Sequence, residues 1–314
     1  MTVMGEKARP RGRGVLFELW NKKFLYLLVL PAALYTFIYG YATLPYMVIA
    51  FQKYTFKKGI FSDFVGLKNF TAFFGSSWAW MVTRNTVALN LLFIGFGIVC
   101  SVGLALMLNE IRQKHFLKVA QSTMLFPFFI SWVIVSYIMQ GLLGTDAGMI
   151  NHLLVSAGFE RISFYTQAQY WYPLLIILRI WKGAGYTSII YLATITGIDS
   201  SLYEAAMIDG ATRAQQTRFI TLPLLLPIVS ILTLMDIGRI FYGDFGMFYA
   251  IIRDNSSLMP VAEVIDTYVF RMFKNTGNPS LTMAVGLYQS VVGFVLVFGS
   301  NAITRKLYPD GSLF

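Results

Sequence analysis

The sequence is poor in charge, cysteine and histidine. Charged residues make up 13% of its 314 residues, whereas soluble proteins contain about 25%. The single cysteine, Cys100, lies in an apolar run, so an intrachain disulfide is excluded and a packed, inert thiol is expected. His115 and His152 are the only histidines and neither belongs to a Cys/His cluster, so the sequence predicts no metal site.

The sequence patterns of nucleotide binding and of catalysis are also missing. There is no G-x-x-x-x-G-K-[ST] phosphate-binding loop and no G-x-G-x-x-G motif after a strand. No serine, cysteine or pair of carboxylates stands in a recognisable catalytic context. We therefore predict that the chain is not an enzyme and binds no cofactor itself.

What the sequence has in abundance is apolar side chains. Hydrophobic residues account for 56% of the chain and the mean hydropathy is +0.61, values typical of a protein that resides in lipid. The net charge of +10 is compatible with nucleic-acid binding, but in a membrane protein basic loops that fix the orientation explain it better. We therefore expect contact with lipid and none with nucleic acid.

Six apolar segments are long enough to cross the roughly 30 Å hydrocarbon layer of a membrane, which takes about 20 helical residues. They are 24–51, 86–108, 119–143, 172–196, 219–241 and 282–303. Backbone groups in lipid must be paired within the segment, and the runs lack the alternation of a β-barrel, so each is predicted to be a helix. The predicted fold class is all-α, a polytopic membrane protein with about six transmembrane helices.

The first segment is too long for the apolar core of a cleaved signal peptide, which has roughly 7–15 residues. No A-x-A-like cleavage site follows it. We predict that it stays in the protein as a membrane helix with a bend at Pro31 or Pro45.

Basic residues predict which segments lie in the cytoplasm. The predicted organisation is a basic tail at 1–23, a transmembrane domain at 24–306 and a C-terminal tail at 307–314. With the N-terminus inside, the basic connections 109–118 and 197–218 and both tails are cytoplasmic. The connection 52–85 opposes this orientation, because it carries several basic residues on the predicted outer side.

The long connection 242–281 contains the stretch AEVIDTYVFRMF, in which apolar residues recur at helical spacing. These residues are Val261, Val264, Ile265, Tyr268, Val269 and Met272. The pattern predicts a helix that lies against the outer face of the protein.

A polar segment interrupts the apolar sequence between the fourth and fifth predicted spans. It includes EAAMIDGATRAQQTRFITLPLLLP, residues 204–227. Ser201 as N-cap with Glu204 three residues later predicts a capping box, and Gly210 predicts a left-handed stop. The helix between them is about two turns long, too short to be stable alone in water, so it must dock on a partner. The next helix is predicted to begin around Ala211.

The polar segment resembles the EAA loop of the permease subunits of binding-protein-dependent ABC importers. The shared pattern, E-A-A-x-x-D-G-A followed by I-T-L-P, is carried here by Glu204, Ala205, Ala206, Asp209, Gly210, Ala211 and residues 220–223. Thr217 departs from the family, which usually has phenylalanine there. Stretches such as SIIYLATITGID and GLYQSVVGFVLV make the chain after the basic tail similar to the carbohydrate-uptake branch, in particular to permeases for complex oligosaccharides.

The resemblance implies a function and a set of partners. The chain would be a multi-pass permease subunit of a bacterial cell membrane that forms half of the pore for an oligosaccharide. A second homologous permease, two cytosolic ATPase subunits and an extracytoplasmic solute-binding protein would complete the importer. ATP and Mg²⁺ would be bound by the ATPase subunits, with no cofactor in this chain.

The resemblance also makes the short helix a coupling helix that sits in a cleft of the ATPase. The alanines of the motif would permit close approach, Glu204 would face basic groups, and Gly210 would allow a sharp turn. A plainer interpretation is that Glu204 only completes its capping box and Asp209 only solvates the helix end. The alanines favour docking, because a solvated helix has no need for small residues at these positions.

Four ionisable residues lie inside predicted spans, where a charge is costly and must face protein or water. They are Arg179, Lys182, Asp236 and Arg239. Asp236 and Arg239 are three residues apart, so they would share a helical face and could pair. Two interpretations stay open: structural ion pairs, or a polar strip along a translocation cavity.

Residue types that bind sugars follow the fifth predicted span. They are Tyr242, Asp244, Phe248 and Tyr249. Sugars present hydroxyl groups around apolar C–H faces, so aromatic rings beside carboxylate acceptors suit them. An interfacial belt of aromatic residues would give a similar composition. Together with the four ionisable residues, these are the candidate substrate pathway, whose cations would suit an acidic sugar such as a uronic acid.

Two other functions are compatible with a polytopic membrane protein. A secondary transporter driven by an ion gradient would place paired carboxylates or unwound helices in mid-membrane, often in inverted repeats. Asp236 is the only carboxylate inside a predicted span, and no internal repeat is evident. A membrane scaffold or receptor would have no reason to carry the E-A-A-x-x-D-G-A pattern, so an ATP-driven importer fits the sequence best.

Overall fold

The computed structural model of the protein describes residue 20 and residues 22–307. Residues 1–19, which form most of the predicted basic tail, and residues 308–314 lie outside the described residues. The described part is almost wholly helical. Its one small sheet pairs two antiparallel strands of two residues each, β1 (Gln52–Lys53) and β2 (Asp63–Phe64).

Helices supply all the larger elements of the described part. The α-helices are α1 (Lys23–Thr36), α2 (Lys68–Phe74), α3 (Ser77–Asn109), α4 (Lys114–Phe129), α5 (Trp132–Leu143), α6 (Met149–Ser156), α7 (Trp171–Thr196), α8 (Ser200–Ile208), α9 (Arg213–Gln216), α10 (Leu222–Ile237), α11 (Phe245–Ile252), α12 (Met259–Ala262), α13 (Ile265–Thr276) and α14 (Pro279–Leu307). A π-helical turn (Phe37–Tyr41) and a 3-10 helix (Leu44–Phe51) follow α1, and a second π-helical turn (Thr217–Thr221) joins α9 to α10.

The predicted spans correspond to helical segments. In the described residues, four segments are long and apolar enough to cross a membrane: Lys23–Phe51, Ser77–Asn109, Arg213–Ile237 and Pro279–Lys306. The pair α4–α5 adds a fifth if it counts as one bent span. α7 has 26 residues, a sufficient length, but Arg179 and Lys182 make it less apolar than the others. The prediction of an all-α polytopic membrane protein is confirmed.

The prediction of one continuous helix over 119–143 is wrong. The chain breaks at Ile130 and Ser131, and α5 is bent by 96° from α4. Pro127 has no N–H to donate in the last turn of α4, and the Ser131 hydroxyl caps α5 by accepting the N–H of Ile134 (3.3 Å). The residues around the break are as apolar as the rest of the run, so hydropathy gives no sign of it.

Other boundaries also differ from the predicted ones. α3 begins at Ser77 rather than at residue 86, so Arg84 lies in a helix and not in a loop. α10 ends at Ile237, with Gly238 as its C-cap, rather than at residue 241. The first span changes from α-helix to π-helix after Thr36, and to 3-10 helix from Leu44 to Phe51. The predicted bend at Pro31 or Pro45 stays a prediction.

The helix predicted in the connection 242–281 is present as α13 but begins later. Its first residue is Ile265, and Val261 lies in the separate helix α12. Ile265 and Tyr268 are buried, and Val269 packs against the same apolar cluster. α13 contacts α3, α11 and α14, so its apolar face packs on the bundle.

The core lies where α3, α5, α7 and α11 meet. α3 and α7 share the most extensive contact of any two helices, α4 packs on α7, and α5 packs on α11. Trp171 and Leu175 of α7 are buried with Met247 and Phe248 of α11 in the largest apolar cluster. α1 buries none of its side chains in the described structure.

α4 and α7 touch backbone to backbone at Gly185. A Cβ atom at this position would overlap the carbonyl oxygen of Met124 in α4. Two residues earlier on the same helix, a Cβ atom at Gly183 would meet nothing within 4 Å. The contact between the two helices therefore requires glycine at Gly185 and not at Gly183.

We expect Gly185→Ala to lower the free energy of unfolding by about 1–3 kcal/mol, because the backbone of α4 must move to admit the methyl group. Gly183→Ala is the matched control and should stay within about 0.5 kcal/mol of the wild type. Thermal unfolding of the detergent-solubilised protein, followed by tryptophan fluorescence, measures both effects. Equal midpoints for Gly185→Ala and the wild type would contradict the close contact.

Candidate functional site

A cavity of about 590 Å³ lies between α3, the α4–α5 break, α7, α10 and the turn that precedes α11. Six of the eight predicted pathway residues line it: Arg179, Lys182, Asp236, Arg239, Tyr242 and Asp244. The fold thus brings three cationic and two anionic side chains to one space, although Arg179 and Asp244 are 65 positions apart in the sequence.

Asp244 joins three helices at the wall of this cavity. Its Oδ2 atom accepts hydrogen bonds from Arg179 Nη1 in α7 (2.9 Å) and from Trp132 Nε1 in α5 (2.9 Å). Its Oδ1 atom accepts the backbone N–H of Met247 (3.1 Å) and so caps α11. One carboxylate therefore connects α5, α7 and α11.

Lys182 is directed at the α4–α5 break. Its Nζ atom donates to the carbonyl oxygens of Pro127 (3.2 Å), Phe128 (2.7 Å) and Ile130 (2.5 Å). The Pro127 oxygen also accepts the N–H of Ile130 (3.2 Å). The other oxygens need an outside donor, because the last carbonyl groups of a helix have no partner within it. An ammonium group has three N–H donors, and here all three are matched by carbonyl oxygens of the break.

Asp236 and Arg239 both line the cavity, but the predicted pairing on one helical face is wrong. Arg239 lies in the turn after α10, whose last residue is Ile237. Neither side chain belongs to an ion pair among the residues that the structure describes. Both side chains are exposed and face the space where a ligand would bind.

Phe248 and Tyr249, the other two predicted pathway residues, are not among the described residues that line the cavity. Phe248 is 1% exposed and belongs to the apolar cluster around Trp171. The ring of Tyr249 stacks on that of Phe245, with the centroids 5.1 Å apart. Of the residues of α11, only the first, Phe245, lines the cavity.

Aromatic residues that were not predicted also line the cavity. They are Phe93, Phe128, Trp132, Tyr186 and Tyr191. The rings of Phe128 and Tyr186 stack with centroids 4.5 Å apart and 11° between their planes. Helical spacing from Lys182 gives a signal for Tyr186, which lies four residues further on the same face. No sequence signal identifies Phe128 or Trp132, because both are placed by the break.

Side chains from two other helices hold the turn after α10. Asn90 of α3 donates through Nδ2 to the carbonyl oxygen of Ile240 (2.9 Å). Asp266 of α13 accepts the backbone N–H of Gly243 at its Oδ2 atom (2.5 Å). Burial raises the pKa of Asp266, and the hydrogen bond from Gly243 acts in the opposite direction. These contacts satisfy backbone groups that lie outside any helix.

The short helix of the polar segment, α8, has different caps from those predicted. Asp199 and not Ser201 is its N-cap, and the hydrogen bond from the Ser201 N–H (2.9 Å) holds the pKa of Asp199 below its usual value. The capping box lies one helix later, where Thr212 N–H donates to Gln215 Oε1 (2.7 Å) and Gln215 N–H donates to Thr212 Oγ1 (3.3 Å). The interpretation of Glu204 as a capping-box residue is therefore wrong.

The predicted stop at Gly210 is confirmed. Its φ angle is +78°, in the left-handed region that glycine adopts without strain. The Gly210 N–H donates to the Met207 carbonyl (3.1 Å), and the Ala211 N–H donates to the Ala206 carbonyl (2.8 Å). These two bonds form a Schellman motif, which ends α8.

α8 buries none of its side chains, although three of them are large and apolar. Leu202, Met207 and Ile208 are exposed, the last at 87%. The motif residues Glu204, Ala205, Asp209 and Gly210 are exposed as well, and Ala206 and Ala211 are half-buried. A short helix with this much exposed apolar surface has the character of a docking element.

Two polar contacts attach the polar segment to helices of the cavity. The hydroxyl groups of Tyr203 and Thr221 lie 2.9 Å apart and connect α8 to the start of α10. Arg213 Nη1 and Glu110 Oε2 lie 2.6 Å apart and connect α9 to the end of α3. Both α3 and α10 line the cavity, so the polar segment is attached to two of its walls.

Known proteins resemble this chain over most of its length. The family described as binding-protein-dependent transport system inner membrane component matches residues 93–307. The polygalacturonan/rhamnogalacturonan transport system permease protein YteP of Bacillus subtilis (strain 168) is 37% identical over 96% of this chain and 94% of its own length. Protein LplB of the same strain is 36% identical over 96% of this chain and 95% of its own length.

A solved structure has the same fold. A chain of a bacterial alginate ABC transporter, in complex with an alginate pentasaccharide-bound periplasmic protein, matches with a TM-score of 0.85 and 31% identity. The match covers 93% of this chain and 98% of that chain, so the fold is shared over most of both chains.

Lys182→Met should lower the free energy of unfolding by about 1–3 kcal/mol, because it removes the ammonium donor of the Phe128 and Ile130 carbonyl oxygens while it keeps the apolar stem. Lys118→Met, at an exposed position of α4, is the control and should change stability by less than about 0.5 kcal/mol. Thermal unfolding in detergent compares the two. If both variants are equally stable, water already satisfies the break and Lys182 does not support it.

Proposed function

The chain belongs to the family of binding-protein-dependent transport system inner membrane components, and from this we propose that it forms half of the pore of an ATP-driven importer of acidic oligosaccharides. In this proposal the cavity is the substrate pathway, and the polar segment is the coupling loop that receives motion from a cytosolic ATPase. The observation that carries the proposal is the cavity, where six of the eight predicted pathway residues meet beside aromatic rings.

The lining of the cavity suits a sugar chain. Phe128, Trp132 and Tyr186 offer aromatic faces on which the C–H faces of a pyranose ring can stack. Asp236 and Arg239 supply acceptors and donors for hydroxyl groups. The volume of about 590 Å³ lies within the range of roughly 300–1,000 Å³ that is typical of small-molecule sites.

The charges of the cavity favour an acidic sugar over a neutral one. Three cationic side chains face two carboxylates, so the lining carries a net charge of +1 when all are ionised. A cleft of one charge sign with apolar walls attracts ligands of the opposite sign. Of the proteins named above, YteP is a permease of a polygalacturonan/rhamnogalacturonan transport system, and the alginate transporter imports an acidic polysaccharide.

Motion enters the pore through α8. A cleft of the ATPase covers Leu202, Met207 and Ile208, and Glu204 faces basic groups of the ATPase at its edge. ATP and Mg²⁺ bind to the ATPase subunits, which carry out the hydrolysis, and this chain contributes no catalysis. When the ATPases close, α8 moves, and its contacts to α10 and to the end of α3 carry the movement to two walls of the cavity.

The other partners complete the pathway. A second homologous permease supplies the other half of the pore, and an extracytoplasmic solute-binding protein delivers the sugar. A periplasmic protein is present with the solved alginate transporter. We place the chain in a bacterial cell membrane with the tails 1–23 and 307–314 in the cytoplasm, so that α8 lies on the side of the ATPases.

Substitutions at the cavity wall test the pathway. Asp236→Asn and Arg239→Gln should each lower ATP-dependent uptake at least about ten-fold, since a hydrogen bond to a charged group contributes about 1.5–3 kcal/mol. Tyr249→Phe, away from the cavity, is the control and should transport normally. The measurement is uptake into proteoliposomes that hold the complete importer, with labelled trigalacturonate, its methyl ester and neutral galactotriose offered in turn.

If both charge variants take up substrate as fast as the wild type, the cavity is not part of the substrate pathway. Uptake that follows an ion gradient in the absence of ATP would indicate a secondary transporter instead of an ATP-driven importer. Failure to take up any of the three probes, with a competent ATPase and binding protein present, would contradict an oligosaccharide importer.

Glu204→Lys tests the coupling loop, because it reverses the charge that is proposed to face the ATPase. The tagged wild-type chain, purified with its partner subunits, should retain the ATPase, and Glu204→Lys should lose most of it. Glu160→Lys, at an exposed site in the 144–171 connection, is the control and should retain the ATPase fully. The readouts are the amount of ATPase subunit that co-purifies per permease chain and the rate of ATP hydrolysis. If a Glu204→Lys, Gly210→Ala double variant retains the ATPase fully, α8 does not dock on it.

A further inference from the structure

The three cations of the cavity differ in what they contact. Lys182 uses its N–H groups on the carbonyl oxygens of the α4–α5 break. Arg239 has no ion pair in the described part of the chain, whereas Arg179 is paired with Asp244 at 2.9 Å. The side chain of Arg179 is still 45% exposed and that of Asp244 is 26% exposed, so this ion pair borders the space that a substrate would occupy.

The ion pair between Arg179 and Asp244 is incomplete. A guanidinium and a carboxylate can form two parallel hydrogen bonds, but here Arg179 Nη1 makes a single bond to Oδ2. That oxygen also accepts from Trp132, and the other oxygen is used to cap α11. In this geometry Asp244 offers only one of its oxygens to Arg179, while a carboxylate that is free in the cavity can offer both.

We propose that Asp244 is an internal substitute for the acid group of the substrate, and that Arg179 selects acidic sugars by exchanging Asp244 for the substrate carboxylate. This inference rests on the proposed function of the cavity. The exchange leaves Arg179 paired both in the empty and in the loaded state, while Asp244 keeps its hydrogen bonds from Trp132 and from the Met247 N–H. The carboxylate of the sugar gains the second hydrogen bond that Asp244 does not make.

The exchange has a consequence for the surrounding helices. In the empty cavity, Asp244 holds α7 through Arg179, α5 through Trp132, and α11 through its cap. When Arg179 turns to the substrate, α7 is released from this junction while α5 and α11 stay connected. Only a sugar with an acid group makes this change, so occupancy by the correct substrate alters how α7 is held.

The test compares an acid with its uncharged ester. The complete importer in nanodiscs, without the binding protein, is titrated with trigalacturonate and with its methyl ester by isothermal titration calorimetry. Wild type should prefer the acid at least about ten-fold. Arg179→Gln should abolish that preference while ester affinity stays within about two-fold. Asp244→Asn should raise acid affinity about three- to ten-fold, because asparagine still caps α11 but no longer competes for Arg179.

Two further variants make the result specific. Asp254→Asn changes an exposed carboxylate that pairs with Arg271 away from the cavity, and it should leave both affinities unchanged. Asp244→Ser also keeps an N-cap without charge, so it replaces Asp244→Asn if that variant folds poorly.

Each other result overturns the exchange. Weaker acid binding by Asp244→Asn would make Asp244 a direct sugar ligand or a structural residue. Equal losses of acid and ester affinity in Arg179→Gln would show that Arg179 does not select for charge. A wild type that binds ester as tightly as acid refutes the selection and leaves the importer function standing, whereas a wild type that binds neither probe nor galactotriose contradicts the proposed function itself.

Discussion

Lys182 points its ammonium group at the carbonyl oxygens that end α4, and the architecture of the cavity depends on this contact. A backbone carbonyl without a partner costs several kcal/mol in hydrocarbon, so a span can break there only where protein or water supplies donors. With Lys182 as donor, the third span bends by 96°. The bend brings Phe128 and Trp132 to the cavity wall, where a straight helix would carry them past it.

Asp244 has a similar role for side chains. Lys182 supplies donors to backbone oxygens, and Asp244 supplies an acceptor for the Arg179 guanidinium and the Trp132 N–H. Its two oxygens accept three donors from α5, α7 and α11, so a single anion compensates Arg179 and also fixes the turn that precedes α11. The carboxylate of Asp236 and the guanidinium of Arg239 are left open toward the same space. The cavity therefore combines groups that are satisfied within the protein with groups that are free for a ligand, as a site for a charged and hydroxylated molecule needs.

The polar segment, proposed above as the coupling loop, is stiff for its length. The Schellman motif at Gly210 ends α8, Ala211 follows, and Thr212 caps the next helix through its exchange of hydrogen bonds with Gln215. No flexible linker separates α8 from the helical segment that becomes α10, so a displacement of α8 is passed on rather than absorbed. The contact of Arg213 with Glu110 is exposed and weak by itself, so the backbone connection holds α8 more firmly than this ion pair does.

The sequence by itself determined the features that act over a few residues: the apolar lengths that make the helices, the stop at Gly210, and the E-A-A-x-x-D-G-A motif that identifies the family. Hydropathy and turn chemistry are local, so they can be read along the chain. Only the tertiary structure decided that Arg179 meets Asp244, that Lys182 supports a break which hydropathy does not show, and that Phe248 is buried in the core while Asp244 borders the cavity. These outcomes depend on which residues distant in sequence pack together and on the direction in which each turn of a helix faces, and no pattern within one segment contains that information.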